Sequence, residues 1–311
     1  MSETTAVARP PEPDWLTMTA EELVAYREAE NRARASAAAR VITGEPDPGA
    51  EIQWRELALP GRELRVRVYR PSGTGLPLVV HVHGGGFVGT AVQSDWVTSH
   101  LAARLPAVVV SVEHRLLDPS TPLSAAADDG WDVLQEVLRN AGEWGVDPSR
   151  TAVFGESCGA LISALTAIRA SAAKLRLRAQ VLVNPAVDVT ETFLDHDSVT
   201  EYGDSPTLTV PQLKLFQRLA VPAGADARAV SPLYADDLSG LAPALVVVPT
   251  HDPVADHGRR YASRLREAGT PVQLTEYPGA GHAFLSMPGV APQAEAARAE
   301  ILSFLRTTLG A

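Results

Sequence analysis

Four short stretches of this sequence hold side chains able to perform nucleophilic chemistry. "VFGESCGALISAL" carries Ser157 between Gly155 and Gly159, beside Cys158, the only cysteine in the chain. A serine on a sharp strand-to-helix turn presents its hydroxyl at a helix N-terminus, where free N–H groups favour negative charge. A serine that merely caps a helix would look the same locally. With Gly and Ser at ordinary frequencies, a chain of this length matches G-x-S-x-G by accident about one time in ten. "HVHGGGF" places Gly84, Gly85 and Gly86 in succession. Backbone N–H groups in such a run can face a cleft unobstructed, as a tetrahedral oxyanion requires. A phosphate-cradling loop is the rival reading, but no Gly-Lys-Ser/Thr follows. His81 and His83, at i and i+2, could share one side of a strand as metal ligands, although no carboxylate or cysteine pattern completes a site. Bracing of the glycine loop is the other role open to His83.

The remaining two stretches are "THDPVADHG" and "YPGAGHAFL". Asp252 follows a buried-strand pattern, although Asp-Pro is also a common turn opener. Asp256 and His257 stand close by, and Asp256 is expected to cap the helix that follows. His282 lies in a Gly-rich loop after the last strand pattern. The chain order is therefore Ser157, Asp252, His282, each after a separate strand, which suits a nucleophile, an orienting acid and a general base. Cys158 is either a thiol activated by a helix N-terminus or, as expected here, a buried inert one.

These residues need a scaffold. "LPLVVHVHGGG", "PAVVVSVEH", "RTAVFGES", "RAQVLVNP" and "APALVVVPT" are short and almost continuously apolar, as strands buried on both faces of a parallel sheet are. Helical patterns fall between them at 94–105, 124–142, 157–170 and 256–268, with a closing helix at 292–309. "RELRVRVYR" alternates apolar and charged residues, which predicts an antiparallel edge strand in a hairpin turning at Pro60-Gly61. The spacing predicts an α/β fold with a doubly wound, mostly parallel sheet and an antiparallel N-terminal edge. In such sheets ligands sit at the carboxyl ends of the strands, where all four stretches fall. Residues 18–40 read as a helix capped by Thr19, and residues 188–237 interrupt the alternation with one helix, "TVPQLKLFQRLA", in otherwise polar loop. An interruption this long is usually a lid or binding element.

The chain has 311 residues, 27 basic and 37 acidic, for a net charge of -10. That balance repels phosphate backbones and anionic lipid, so neither nucleic acid nor a membrane is an expected partner. A single cysteine excludes an intrachain disulfide and fits a reducing compartment. No apolar leader is visible at the N-terminus and no apolar run is long enough to span a bilayer, so a cytoplasmic location is expected.

The stretches "HGGGF", "VEHRL", "GESCGA", "SPLYADDLSGLAPALVV", "HDPVAD" and "YPGAGHAFLSMPG" together resemble the bacterial hormone-sensitive-lipase family of α/β-hydrolase esterases, from about Trp54 to the C-terminus. The resemblance implies hydrolysis of small or short-acyl carboxylic esters without cofactor or metal, by a Ser157–His282–Asp252 triad. It also implies an oxyanion hole built around Gly84, Gly85, Gly86 and Cys158, often in a homodimer. It further implies a helical cap made from segment 1–50 and insertion 188–237, on a core formed by 51–187 and 238–311. Phe87, Val88 and Phe284 adjoin the catalytic loops, and Tyr202, Leu213 and Phe216 belong to the insertion. Each is open to two roles, pocket wall or ordinary packing. The family usually has G-D-S-A-G-G where this chain has Glu156, Cys158 and Ala160, and often has a carboxylate at His257. A non-hydrolytic small-molecule receptor, an amidase, a lactonase and an acyltransferase are alternatives on the same frame.

Overall fold

The computed structural model describes residues 13–311, so residues 1–12 of the expected N-terminal cap segment lie outside the described residues. In chain order the strands are β1 (Glu51–Leu59), β2 (Arg62–Arg70), β3 (Leu76–Val82), β4 (Val108–Val112), β5 (Val146–Glu156), β6 (Ala179–Val183), β7 (Asp204–Ser205), β8 (Leu208–Thr209), β9 (Ala244–His251) and β10 (Val272–Gly281). The helices are α1 (Ala20–Arg34), α2 (Arg40–Thr43), α3 (Asp95–Arg104), α4 (Leu123–Arg139), α5 (Ala141–Trp144), α6 (Cys158–Ala172), α7 (Asp197–Tyr202), α8 (Val210–Ala220), α9 (Ala255–Glu267) and α10 (Gln293–Leu309).

The main sheet has eight strands in the order β1-β2-β4-β3-β5-β6-β9-β10. From β4 to β10 every neighbouring pair is parallel, whereas β2 pairs antiparallel with both β1 and β4. The alternating "RELRVRVYR" forms β2, and the hairpin turns at Pro60-Gly61 with Leu59 paired to Arg62. The continuous apolar runs lie in the middle because both faces are covered. Leu78, Val80 and Val82 pack into the cluster formed with α4 and α6, while Val79, Val109 and Phe154 pack on the other face with α3 and α10. Each such fully buried Val, Leu or Phe contributes about 1.5–3 kcal/mol of transfer free energy. Among the described residues no helix is long and apolar enough to cross a membrane.

Three expectations change. The helix over 18–40 is broken: α1 ends at Arg34 and a 3-10 turn, Ala37–Ala39, leads into the short α2. Ser36 causes the break, because its hydroxyl donates to Ala33 O and accepts from Ala39 N, ending one turn and capping the next. Thr19 and Glu22 do form the capping box at the start of α1. The insertion 188–237 holds α7 and the β7–β8 hairpin besides the expected helix, which is α8. Elements of two to six residues leave too little periodicity to read. Finally, Asp256 does not cap α9. It lies inside the first turn, where its carboxylate accepts from Ser198 N of α7 at 3.0 Å and pairs with Arg259 at 2.8 Å.

Candidate active site

Ser157 stands between the end of β5 and the start of α6, with φ 57° and ψ −121°. A side chain in that region costs on the order of 1–3 kcal/mol and persists only where its surroundings enforce it. The flanking glycines enforce it here. A Cβ on Gly155 would lie 2.1 Å from Gly159 O, and one on Gly159 would lie 2.1 Å from Val82 O. Strand and helix therefore press together around the turn, and Ser157 N–H is anchored on Val183 O at 2.9 Å.

His282 follows the last residue of β10, which runs on through the Gly-rich stretch by means of a bulge between Tyr277 and Gly281. Its Nε2 is 2.7 Å from Ser157 Oγ, and its Nδ1 is 2.8 Å from Asp252 Oδ2. A carboxylate only accepts, so Nδ1 carries the proton and the Nε2 lone pair meets the serine hydroxyl. Asp252 is fully buried, and its Oδ1 accepts from Val254 N at 2.9 Å, which locks the turn between β9 and α9. The Asn184 side-chain amide approaches His282 Nε2 to 3.5 Å. Below the imidazole, Ser286 Oγ donates to the buried Glu156 carboxylate at 2.5 Å. Burial pushes Glu156 above the usual carboxylate range, against the pull of Ser286 and the nearby His282.

The glycine loop lies against this pair. The Cβ position of Gly84 is 3.5 Å from Ser157 Cβ, and that of Gly86 is 3.5 Å from Cys158 Sγ. Gly85 has φ +93°, and its Cβ position is 1.8 Å from Val88 O, so no larger residue fits. The carbonyls of the loop are held elsewhere. Gly84 O accepts from His83 Nδ1 at 2.9 Å and Gln93 Nε2 at 3.2 Å, and Gly86 O accepts from Leu117 N at 2.8 Å. Among the described residues the N–H groups of Gly85 and Gly86 donate to no protein acceptor. Cys158 supplies the first N–H of α6, one of the helix-start donors with no partner inside the helix. The arrangement can receive a negative oxygen beside Ser157. The Cys158 thiol itself is buried, and burial pushes it up to about 12, the inert condition.

His83 thus contacts the loop directly, and its ring stacks on that of His114 at 4.3 Å. His81 is held by Ser111 Oγ at 2.7 Å, and among the described residues it joins no three-ligand cluster. The glycine loop is also gripped by α1, through two residues, Arg27 and Asn31, that sequence reasoning did not name. Arg27 Nε donates to Phe87 O at 2.9 Å, Arg27 Nη2 donates to Leu117 O at 2.6 Å, and Asn31 Oδ1 accepts from Gly89 N at 2.8 Å. Nothing distinguishes these two from the other polar residues of a surface helix. Asn184 carried a weak signal, a polar residue closing the buried run "VLVN".

The six expected pocket residues divide. The Phe216 ring, from α8, comes within 2.3 Å of the Gly86 Cβ position, directly over the glycine loop. Phe87 packs on Trp15 at 5.7 Å between ring centroids, and the Val88 side chain joins the same cluster. Tyr202 stacks on His251 at 5.1 Å, one residue before Asp252. Leu213 packs with Ala186, Phe193 and Val254. Phe284 takes the second of its two roles, ordinary packing. It is 1% exposed and packs beside Tyr277 in the cluster on the α3–α10 face, because the 3-10 turn after His282 directs it under the sheet.

A family described as the alpha/beta hydrolase fold matches residues 79–286. The chain is 37% identical to the carboxylesterase NlhH of Mycobacterium tuberculosis over 85% of each sequence. It is 34% identical to an arylesterase of Saccharolobus solfataricus, over 79% of this chain and 81% of that one. The structure of a hyperthermophilic esterase from the archaeon Pyrobaculum calidifontis superposes with a TM-score of 0.84 at 32% identity, covering 92% of this chain and 93% of that one. Fold and site together define an α/β-hydrolase. Within that class the chain belongs to the bacterial esterases of hormone-sensitive-lipase type.

Proposed function

We propose that the chain, a carboxylic ester hydrolase, cleaves small or short-acyl esters through Ser157, His282 and Asp252. His282 Nε2 takes the hydroxyl proton as Ser157 Oγ attacks the ester carbonyl carbon. The carbonyl oxygen becomes an oxyanion and receives hydrogen bonds from the N–H groups of Gly85, Gly86 and Cys158, with Gly84 shaping the loop. Asp252 holds the imidazole in the required tautomer and stabilises its cationic form. Collapse of the tetrahedral intermediate expels the alcohol, which takes the proton from His282. Water, deprotonated by the same Nε2, then attacks the acyl-enzyme, and a second collapse frees the acid and returns the proton to Ser157 Oγ.

Residues 1–50 and 188–237 act as the cap in this reading, over a core formed by 51–187 and 238–311, in a cytoplasmic enzyme. Arg27 and Asn31 on one side and Phe216 on the other bring both cap segments onto the glycine loop. The observation that carries the proposal is the unbroken line of contacts from Asp252 through His282 to a serine held at positive φ.

Ser157→Ala tests it on purified protein with a short-chain aryl ester. Turnover is expected to fall by at least about 10³-fold, and fluorophosphonate labelling to disappear. Retained turnover refutes the role of Ser157.

A further inference from the structure

We propose that Asp188, His196 and His257 form a binding site for a divalent transition-metal ion of the Zn²⁺ or Co²⁺ type, joining the insertion to α9. All three are buried, and one ligand-capable atom from each lies within 4.8 Å of the others. His196 Nε2 is 3.6 Å from Asp188 Oδ2. Two ligands on one tetrahedral ion at bond lengths near 2.0–2.2 Å stand roughly 3.3–3.5 Å apart. That edge of the site is therefore almost at metal-bound spacing, and the other two lie within 4.8 Å.

His257 points to the ligand most directly. Its Nε2 is 3.3 Å from Phe193 O, which only accepts, so Nε2 carries the proton and Nδ1 carries a lone pair. Nδ1 is buried and has no hydrogen-bond partner, in a residue only 1% exposed. A ring that donates one N–H to a backbone carbonyl and leaves its other nitrogen bare is the usual state of a metal-binding histidine. The carboxylate is oriented in the same way. Asp188 Oδ1 accepts from Thr190 N at 2.8 Å and Thr190 Oγ1 at 2.7 Å, and Oδ2 accepts from Tyr234 OH at 3.2 Å.

Arg260 is the competing cation. Its Nη1 lies 3.4 Å from both ring nitrogens of His196. Equal distances place it over the ring face, a stacking position that leaves the in-plane lone pair free. Two imidazoles and a carboxylate suit zinc, cobalt and nickel rather than calcium or magnesium. Asp188 opens the insertion, His196 immediately precedes α7, and His257 stands in the first turn of α9, five residues after Asp252. A bound ion therefore clasps the insertion to the turn that holds Asp252.

The test uses the full, tag-free chain after chelator treatment, titrated with Co²⁺ and with Zn²⁺. One Co²⁺ per chain is expected, with the visible absorption of a low-symmetry nitrogen–oxygen site. Tm is expected to rise by about 4 °C at a metal concentration 100 times Kd. His196→Gln and His257→Asn should each weaken Co²⁺ binding by about 10²-fold or more, and Asp188→Asn serves should either histidine variant fail to fold. Absence of a one-to-one complex in the wild type overturns the proposal. So does undiminished Co²⁺ binding in folded variants, which would place the ion on an exposed histidine such as His251.

Discussion

Ser286→Ala removes one hydroxyl four residues after His282, yet it is expected to weaken both stability and turnover. Ser286 Oγ–H donates to Glu156 at 2.5 Å, and the other carboxylate oxygen, Oε1, is buried with no partner. The acid is 1% exposed, so water cannot replace the lost donor. A hydrogen bond to a charged buried group contributes about 1.5–3 kcal/mol, and a loss near 2 kcal/mol is expected. An unfolding entropy of about 2.1 cal/mol/K per residue over 311 residues converts this to a Tm decrease of about 3 °C. Ser286 also closes the 3-10 turn that follows His282, so the imidazole loses a support. Misplacement by a fraction of an ångström is expected to lower kcat about ten-fold while KM changes less. Calorimetry and steady-state ester kinetics measure the two effects. The decisive comparison is Ser286→Ala with and without Glu156→Gln. Because the cost arises from an unpaired buried charge, the double variant should be more stable than Ser286→Ala alone. A Ser286→Ala protein indistinguishable from wild type, or a double variant whose losses simply add, refutes the reasoning.

Acid should destabilise the fold before any surface carboxylate titrates. Burial holds His81 down to about 3 and His83 and His114 down to about 4, whereas each takes a proton near 6.5 when unfolded. Between those limits the unfolded chain binds more protons, so stability falls as pH drops from 6.5 towards 4, by up to about 3 kcal/mol per histidine. Tm measured at pH 7 and pH 5 should differ accordingly, and a Tm that stays flat across this range contradicts it. Cys158→Ala should retain most of the wild-type turnover, since the proposed mechanism uses only the backbone N–H of that residue. The native thiol should resist alkylation at neutral pH, and a collapse of kcat in a folded Cys158→Ala protein counts against the assignment.

What was legible in the sequence follows from how each feature is encoded. The buried strands wrote themselves as continuous apolar runs because both faces of the sheet are covered, and the edge strand as alternation because one face is not. The serine turn was visible because it excludes side chains: Gly155 and Gly159 are where a Cβ would strike backbone. Asp252 and His282 could be named because chain order and strand ends restricted the choice. The grip of Arg27 and Asn31 on the glycine loop had no such signature. It depends on where α1 lies in space, and any long polar residue on that face would read the same. The role of Phe284 stayed open for a related reason: proximity to His282 in sequence says nothing about the direction in which a 3-10 turn sends the side chain.

The chemistry and its selectivity are therefore encoded at different levels. Ser157 and the glycine loop are set by backbone geometry, which tolerates little variation because a single added Cβ collides at about 2 Å. The elements above them are held by individual side-chain contacts, the Arg27 guanidinium on Phe87 O and the Phe216 ring over Gly86. Exchanging such a contact is expected to leave the elbow intact and to change what can reach it. Substitutions in 188–237 should accordingly alter acyl preference more readily than they abolish hydrolysis, whereas substitutions at the strand ends do the reverse.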